Sequence, residues 1–327
     1  MPRVFSGIQP TGELHLGNLL GAVRNWVDDQ HRADSFYCVV DLHALTVPKA
    51  PGEVAARTLE LAQVLIACGL DPEVCTLFVQ SHVRAHTELA WMLQCIASVG
   101  ELRRMTQFKD KSARNEFVSA GLLTYPVLQA ADILLYDTDE VPVGDDQRQH
   151  LELTRDVAER FNARYGDTFV VPRATIPRAG ARVMDLQLPG DKMSKSAASD
   201  TGTVYLTEDL SAVAKKFKRA VTDSDGEVRY DPAAKPGVSN LLSILGAATG
   251  RDPEEVAGAY TQYGPLKADT AEAVVELLRP IQARVGELRA DPGATTALLA
   301  RGAAKAESVA EDVLARATSA IGLLPRA

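Results

Sequence analysis

The segment from Val4 to Gly21 reads VFSGIQPTGELHLGNLLG and predicts a strand, a turn rich in glycine and proline, and the start of a helix. Apolar side chains recur beyond the turn on one face of that helix: Leu16, Leu19, Leu20, Val23, Trp26 and Val27. A helix that starts after such a turn offers free backbone N–H groups and the positive end of its dipole to an anion. The glycine spacing matches neither the P-loop nor the G-x-G-x-x-G pattern, so we predict an anion site of another kind.

His15 lies at the start of the predicted helix, where its imidazole could reach the same anion. From these residues alone, an ordinary strand-to-helix loop with a solvent-facing histidine explains the segment equally well. A second stretch, Asp191-Lys-Met-Ser-Lys-Ser196, changes that balance. Pro10–Asn18, with Asn18 in the last motif position, and Lys192–Ser196 resemble the HIGH and KMSKS signatures of class I aminoacyl-tRNA synthetases. The resemblance implies a Rossmann-like catalytic domain that binds ATP.

The composition is that of a globular protein without a membrane segment. The length of 327 residues allows one large domain or two ordinary ones, and a hydrophobic fraction of 46% can fill a core. No apolar run approaches the roughly 20 residues that span a bilayer, and Met1 leads straight into a strand without a signal peptide. We therefore expect a cytoplasmic protein.

The cysteines form no C-x-x-C pair and lie in apolar surroundings. This pattern predicts reduced core residues, with a metal cluster among them as the minor alternative. The residues are Cys38, Cys68, Cys75 and Cys95.

A net charge of −8 argues against a general nucleic-acid coat but leaves room for local basic patches. One patch comprises Arg103, Arg104, Lys109, Lys111 and Arg114, and the other comprises Lys215, Lys216, Lys218 and Arg219. Taken alone, each patch is most simply a solvated helix face.

Residues 35 to 165 alternate strand and helix patterns, which predicts a parallel, doubly wound sheet. Strands are expected at Phe36–Val40 and Thr76–Val79, and helices at Gly52–Gly69 and His86–Ala97. Ligands of such sheets gather at the carboxyl ends of the strands, and His43 follows one of these ends. His82 and His86 are expected to be exposed loop residues.

A second candidate site lies between Tyr125 and Gln147. Tyr125, Gln129 and Asp132 fall on one side of a predicted helix whose other residues are apolar. Because a buried unpaired charge is very costly, Asp132 is either a solvated helix end or an acceptor in a pocket. A short strand at 141–143 precedes a second helix, for which Asp145 is a natural N-cap.

Helical patterns dominate after Ser196, and Ala294–Gly322 predicts a long amphipathic helix. Four further stretches narrow the resemblance to the bacterial tryptophanyl-tRNA synthetases, over almost the whole chain. They are Phe5–Pro10, Gly100–Lys109, Gly144–Gln147 and Ala234–Asn240. The resemblance implies a catalytic domain with an inserted connective segment (1–204), a helical anticodon-binding domain (205–290) and a last helix that packs against the catalytic domain (291–327).

Such enzymes make Trp-AMP and pyrophosphate from L-tryptophan and ATP with Mg²⁺, then esterify tRNA(Trp), as homodimers and without a protein-held metal. By position, the residues at ATP would be Gln9, Pro10, Thr11, His15, Gly17, Asn18, Gly144, Asp145, Asp146, Val183, Lys192, Met193, Ser194, Lys195 and Ser196. Those at tryptophan would be Phe5, Gly7, His43, Tyr125, Gln129, Asp132, Val143 and Gln147. The resemblance implies catalytic roles for Gln9, Lys111, Lys192 and Lys195.

The same resemblance implies individual roles at the amino acid. Asp132 would accept a hydrogen bond from the indole N–H, and Phe5 and Val143 would pack against the ring. Tyr125 and Gln147 would bind the α-amino group. Gln129 departs from the pattern, because we expect methionine against the indole and because glutamine is reminiscent of tyrosyl-tRNA synthetases. A tyrosyl enzyme therefore remains an alternative. Two rivals from other classes are a nucleotidyltransferase of the same fold and a catalytically silent paralogue.

Overall fold

A parallel β-sheet with doubly wound topology organises the molecule, as predicted. The computed structural model describes residues 1–114, 117–144, 147–175, 182–194 and 200–324. Within them the strands are β1 (Arg3–Ile8), β2 (Asp34–Val39), β3 (Thr76–Val79), β4 (Glu140–Pro142) and β5 (Arg173–Thr175). All pairings among these strands are parallel, in the order β3-β2-β1-β4-β5. The order reverses between β1 and β4, and the crevice beside their carboxyl ends is where such sheets bind ligands.

The helices of the N-terminal half alternate with these strands, which confirms the predicted pattern with ends shifted by a few residues. Their bounds are α1 (Leu16–Asn18), α2 (Arg24–Asp29), α3 (Asp41–Ala44), α4 (Glu53–Ala67), α5 (Ala85–Gln94), α6 (Val99–Arg104), α7 (Thr106–Arg114), α8 (Ala120–Leu134) and α9 (Arg148–Tyr165). A π-helical turn, Leu19–Val23, joins α1 to α2, and a 3₁₀ turn, Gln80–His82, follows β3. Helix α9 starts after Gln147 as N-cap, so the prediction of Asp145 as its cap is wrong; Asp145 itself lies outside the described residues.

The C-terminal part is helical, as predicted. It consists of α10 (Leu210–Lys218), α11 (Pro236–Thr249), α12 (Pro253–Ala257), α13 (Tyr263–Ala290) and α14 (Pro292–Ile321). Proline at the first helical position starts α11, α12 and α14, because its missing N–H would have no partner there anyway.

Two apolar cores cover the two faces of the sheet. Alternate residues of β2 enter different cores, since successive side chains of a strand point to opposite faces. Tyr37 and Val39 pack with α1, α4 and the helices α10–α13, whereas Phe36 and Cys38 pack with α5, α8, α9 and α14. The prediction that every cysteine is a core residue is wrong for Cys95, which is exposed.

The last helix, α14, lies directly on the sheet. At Gly302 a side chain is impossible without movement, because a Cβ there would lie 1.9 Å from the carbonyl oxygen of Leu77 in β3. Ala303, Ala306 and Ala310 continue this face and are buried. Small residues therefore let the backbone of α14 approach β3 closely. None of the helices in the described part is long and apolar enough to cross a membrane.

Candidate active site

A cavity of about 650 Å³ opens at the carboxyl ends of β1, β2 and β4, where the strand order reverses. Many of the residues predicted from the sequence line it. They are Phe5, Gly7, Gln9, Asn18, His43, Lys111, Tyr125, Gln129, Asp132, Val143, Gly144, Gln147 and Lys192. The structure therefore brings residues from both predicted sites, at 4–21 and at 125–147, to one cavity.

Other predicted residues do not line this cavity. They are Pro10, Thr11, His15, Gly17, Val183, Met193 and Ser194. His15 is buried, and its Nδ1 lies 3.0 Å from where a Cβ on Gly17 would stand, so the imidazole packs against the glycine backbone. Four predicted residues lie outside the described part of the chain: Asp145, Asp146, Lys195 and Ser196.

Asp132 is the most buried charged group of the cavity wall, with 1% exposure. Its Oδ1 accepts from Gln80 Nε2 at 2.7 Å and lies 2.6 Å from His86 Nδ1, while Oδ2 lies 2.7 Å from His43 Nε2. Of the two sequence-based alternatives, a solvated helix end is therefore wrong. The structure leaves Asp132 as a pocket carboxylate held by three donors.

These partners decide the charge of Asp132. Burial by itself would raise the pKa of the carboxyl group, but attraction to His43 and the hydrogen bonds from His43 and His86 outweigh it. The pKa of Asp132 consequently lies well below its usual range. A carboxylate has about four lone-pair sites, and three are used, so one site is left on Oδ2 of a residue that lines the cavity.

The prediction that His86 is an exposed loop residue is wrong. His86 lies in α5 and is fully buried, and its Nε2 lies 2.7 Å from the hydroxyl of Tyr136. A sequence signal was present, because His86 precedes Leu89 and Leu93 at helical spacing and so belongs to the buried face of α5. His82 is exposed, as predicted.

Sequence reasoning also missed Gln80. It follows β3 as His43 follows β2, so the rule that polar residues at strand ends form sites applied to it as well. The amide of Gln80 is oriented by the backbone N–H of Leu42, which donates to its Oε1 at 3.1 Å. With Oε1 fixed in this way, Nε2 of the same amide points to Asp132.

Tyr125 forms the neighbouring wall of the cavity. Its hydroxyl donates to Gln107 Oε1 at 3.2 Å and lies 2.9 Å from His150 Nε2. Burial raises the pKa of Tyr125 to about 12, so the hydroxyl stays protonated. The ammonium of Lys111 lies 5.2 Å from the ring centre, within the range of a cation–π contact, and partial burial lowers the pKa of Lys111.

Lys192 reaches the cavity from a short antiparallel bridge with Met184. The base of this bridge is fixed by Asn240 of α11, which donates to the carbonyl of Met184 and accepts from its N–H, both at 2.9 Å. Lys192 itself is exposed. The lysine is thus carried by a backbone that is anchored to the C-terminal helices.

The helix after β1 contributes a further wall that the sequence did not indicate. Gly21 and Ala22, in the π-helical turn, line the cavity together with Asn25 and Asp29. The apolar face predicted for this helix is confirmed, since Leu16 and Trp26 are buried. A π-helical turn shifts the following residues round the helix axis, and such turns are frequent at functional sites.

The two basic patches differ. Arg103, Arg104 and Lys109 are exposed on α6 and α7, whereas nothing is described of the side chain of Arg114. In the second patch Lys216 makes contacts within the protein: it forms a salt bridge with Glu208 at 2.7 Å and donates to the carbonyl of Thr203 at 2.6 Å. Lys215 is exposed.

Comparison with known proteins identifies the family. Residues 1–279 match the family of tRNA synthetases class I (W and Y). The chain is 57% identical over 330 residues to tryptophan–tRNA ligase 1 of Streptomyces coelicolor, covering 99% of this chain and 98% of the relative. Tryptophan–tRNA ligase of Mycobacterium leprae is 53% identical over 99% of this chain and 97% of its own length.

Solved structures agree. Tryptophanyl-tRNA synthetase from Mycoplasma pneumoniae superposes with a TM-score of 0.92 at 36% identity, covering 99% of this chain and 98% of that one. The Campylobacter jejuni enzyme, complexed with ADP and tryptophan, gives a TM-score of 0.85 at 33% identity, covering 98% of this chain and 100% of that one. The chain therefore belongs to the class I tRNA synthetases of the tryptophan and tyrosine family, and within it to the bacterial tryptophanyl-tRNA synthetases.

Proposed function

We propose that this protein is a tryptophan–tRNA ligase, which activates L-tryptophan with ATP and transfers it to tRNA(Trp). The observation that carries the proposal is the buried carboxylate of Asp132 with one acceptor position left, in the same cavity as the exposed cation of Lys192. An indole offers one N–H to such an acceptor, and a phosphate chain needs such a cation. Relatives with this activity span the full chain.

At the amino-acid end, we assign the indole N–H to Oδ2 of Asp132. Phe5 and Val143, which both line the cavity, would cover the two faces of the ring, and Gly7 would leave room beside it. His43 would contact the indole from the edge, since it shares Oδ2 of Asp132. The α-amino group would lie between Tyr125 and Gln147, which would direct the α-carboxylate toward ATP.

At the phosphate end, an oxygen of that carboxylate attacks the α-phosphorus of ATP, and pyrophosphate leaves. The step needs in-line positioning and stabilisation of phosphoryl charge rather than covalent help from the protein. Lys192 and Lys111 would supply positive charge, with Lys195 beyond the described residues, and Gln9 would orient the reacting groups. Asn18, His15 and the backbone at Gly17 would hold the nucleotide at the helix start.

Mg²⁺ would enter bound to ATP, as part of the substrate. In the described ranges no group of three His, Cys, Asp or Glu side chains is placed to hold a metal ion. Gly144, two residues after β4, would contact the ribose side of the nucleotide, with Asp146 two positions further along the sequence. Two further predicted ATP contacts, Val183 and Met193, are buried near α11, so we expect them to act through the backbone.

We also propose a cytoplasmic homodimer with the domains 1–204, 205–290 and 291–327. The support for a dimer is exposed apolar surface: Trp91 is 69% exposed, Val99 56% and Phe117 74%. The exposed residues Arg103, Arg104 and Lys109 would contact tRNA phosphates. Light scattering of the Trp91→Glu variant tests the first point, because a buried interface should not accept a charge.

A tyrosyl-tRNA synthetase is the second candidate, and Gln129 favours it. Gln129 lines the cavity, where its amide could pair with a phenol. Asp132 could accept from a phenol as readily as from an indole. Relatives that are 57% and 53% identical over 99% of this chain, however, are tryptophan–tRNA ligases.

ATP–pyrophosphate exchange, run with tryptophan and with tyrosine in parallel, tests the proposal. We expect exchange that depends on tryptophan, followed by aminoacylation of tRNA(Trp). Exchange with tyrosine alone would establish the tyrosyl enzyme. Exchange without tRNA charging would indicate a nucleotidyltransferase, and no exchange with either amino acid would indicate a silent paralogue. The Lys192→Ala variant serves as the control for contaminating enzyme.

A further inference from the structure

The carboxylate of Asp132 is held from behind by groups that do not reach the cavity. Gln80 and His86 both bind Oδ1, at 2.7 Å and 2.6 Å, and neither lines the cavity. His86 continues to Tyr136, whose hydroxyl lies 2.7 Å from Nε2. A chain of three buried side chains, Tyr136, His86 and Asp132, thus ends at the cavity wall.

The carboxylate of Asp132 determines which groups donate and which accept along the series Tyr136, His86 and Asp132. An ionised carboxylate can only accept, so Nδ1 of His86 carries the proton that is shared with Oδ1. In a neutral imidazole the other nitrogen, Nε2, is then an acceptor, and the hydroxyl of Tyr136 is placed to donate to it. Burial raises the pKa of Tyr136 well above its usual value, which keeps that hydroxyl proton in place.

Such support matters because the torsion that turns an aspartate carboxylate is broad and has no sharp preferred angle. Without fixed partners, Asp132 could present either oxygen, at various angles, to the cavity. Two donors fill Oδ1 and one donor, His43, occupies part of Oδ2. What remains is one lone pair on Oδ2, with its direction set by the other three bonds.

We propose that His86 is a positioning residue for amino-acid selection: it orients the Asp132 carboxylate so that a single ring N–H is accepted from the cavity. The inference rests on the proposed function, because it assumes that the indole binds at Asp132. Gln80 supports the same orientation and Tyr136 fixes the tautomer of His86. None of the three touches the substrate.

A positioning role of His86 differs from a merely structural one in what its replacement does. A structural residue would weaken all substrates alike when replaced. A positioning residue for one hydrogen bond should weaken tryptophan and leave an analogue without that hydrogen bond nearly unchanged. The probe is 3-(benzothiophen-3-yl)alanine, in which sulfur replaces the indole N–H while the ring shape is retained.

The measurement is kcat/KM in ATP–pyrophosphate exchange for both amino acids. His86→Leu removes the donor, and we expect the preference for tryptophan over the analogue to fall by about tenfold or more. His86→Asn can place its amide N–H where Nδ1 was, so the preference should stay within about threefold of wild type. His82→Leu, on the exposed neighbouring turn, is the matched control and should change nothing.

Tyr136→Phe keeps the ring that stacks on Phe36 at 4.8 Å and removes only the hydroxyl. We expect this variant to reduce the preference by a smaller factor, about threefold, and it decides the matter if His86→Leu does not fold. An unchanged preference in Tyr136→Phe and His86→Leu, or in Tyr136→Phe alone where His86→Leu is unfolded, would overturn the proposal. If wild type shows no tryptophan-dependent exchange, the proposed function fails instead, and the two failures are thereby separate.

Discussion

The two ends of the cavity are built in opposite ways. At the amino-acid end the charged group, Asp132, is 1% exposed and its partners His43 and His86 are 4% and 0% exposed. At the phosphate end Lys192 is exposed to solvent on a two-residue bridge. The carboxylate at one end is already paired within the protein, whereas the cation at the other end is exposed.

The difference separates two tasks. Choosing between similar side chains requires an acceptor that cannot adapt, and burial with fixed partners provides it. Accelerating phosphoryl transfer requires contacts that strengthen as charge develops, and an exposed lysine can make them without first losing a buried partner. Substitutions at the first end should therefore affect selection and stability together, and those at the second end the rate alone.

The largest expected effect is on rejection of phenylalanine, which lacks the N–H that Asp132 would accept. A site that leaves such an acceptor unpaired rejects the poorer substrate by factors on the order of 10⁴. In Asp132→Asn the amide NH₂ would face a donor of the network, so we expect both a loss of discrimination and a destabilisation of about 1–3 kcal/mol. Pyrophosphate exchange with tryptophan and with phenylalanine measures the discrimination, and thermal unfolding measures the stability. Asp28→Asn, at an exposed position, is the control. Unchanged discrimination would contradict the assignment of Asp132.

The next effect concerns Lys192. Lys192→Ala should lower the rate of Trp-AMP formation by about 10²–10³, the usual loss when one group that stabilises developing charge is removed. Tryptophan affinity and melting temperature should not change, because this side chain is exposed. Single-turnover kinetics and calorimetry give the three quantities, and Lys218→Ala on α10 is the control. A lower melting temperature would remove the contrast between the two ends.

A pH series sharpens the comparison. The pKa of Asp132 lies below its usual value, so the carboxylate stays ionised from pH 7 to pH 5 and its protonation should not weaken tryptophan binding in that range. The pKa of Lys111 is lowered by burial, so its charge is lost at a lower pH than that of an ordinary lysine. The exchange rate should therefore fall on the alkaline side, by about tenfold or less, since one cation of several is lost. In Lys111→Arg the alkaline fall of the exchange rate should shift to higher pH. A fall at the same pH as in wild type would show that a group other than Lys111 causes it.

The smallest effect should come from the helical region. Lys215→Glu should raise the KM for tRNA a few-fold and reduce the salt dependence of aminoacylation by roughly one phosphate contact. Lys216→Glu should instead lower stability, because it places two carboxylates where Lys216 now bridges Glu208. Pyrophosphate exchange is the reference reaction for both variants. If both lower exchange and charging equally, Lys215 is structural as well.

The sequence predicted elements with local periodicity well. The strand and helix around Val4–Gly21 and the helix that presents Tyr125, Gln129 and Asp132 follow from spacings within one element. The parallel sheet follows from the alternation of strand and helix patterns along the chain. It did not predict what Asp132 binds, because His43, Gln80 and His86 stand 89, 52 and 46 residues away in the chain. Pairings at such separations leave no local pattern. The burial of His86, by contrast, has a local signal, because His86 lies on the apolar face of α5.

The close contact between Gly302 and β3 has a consequence for synthesis. Proteins emerge from the ribosome N-terminus first, and the early part can begin to fold while the rest is still being made. Here β3, which is followed by Gln80, lacks the helix backbone that packs directly against it until α14 has left the ribosome. A nascent chain halted before Gly302 would contain every residue that lines the cavity and yet lack the α14 side chains that share a core with Phe78. Active enzyme should consequently appear late, after almost the whole polypeptide has been translated, and interrupted products should aggregate rather than function.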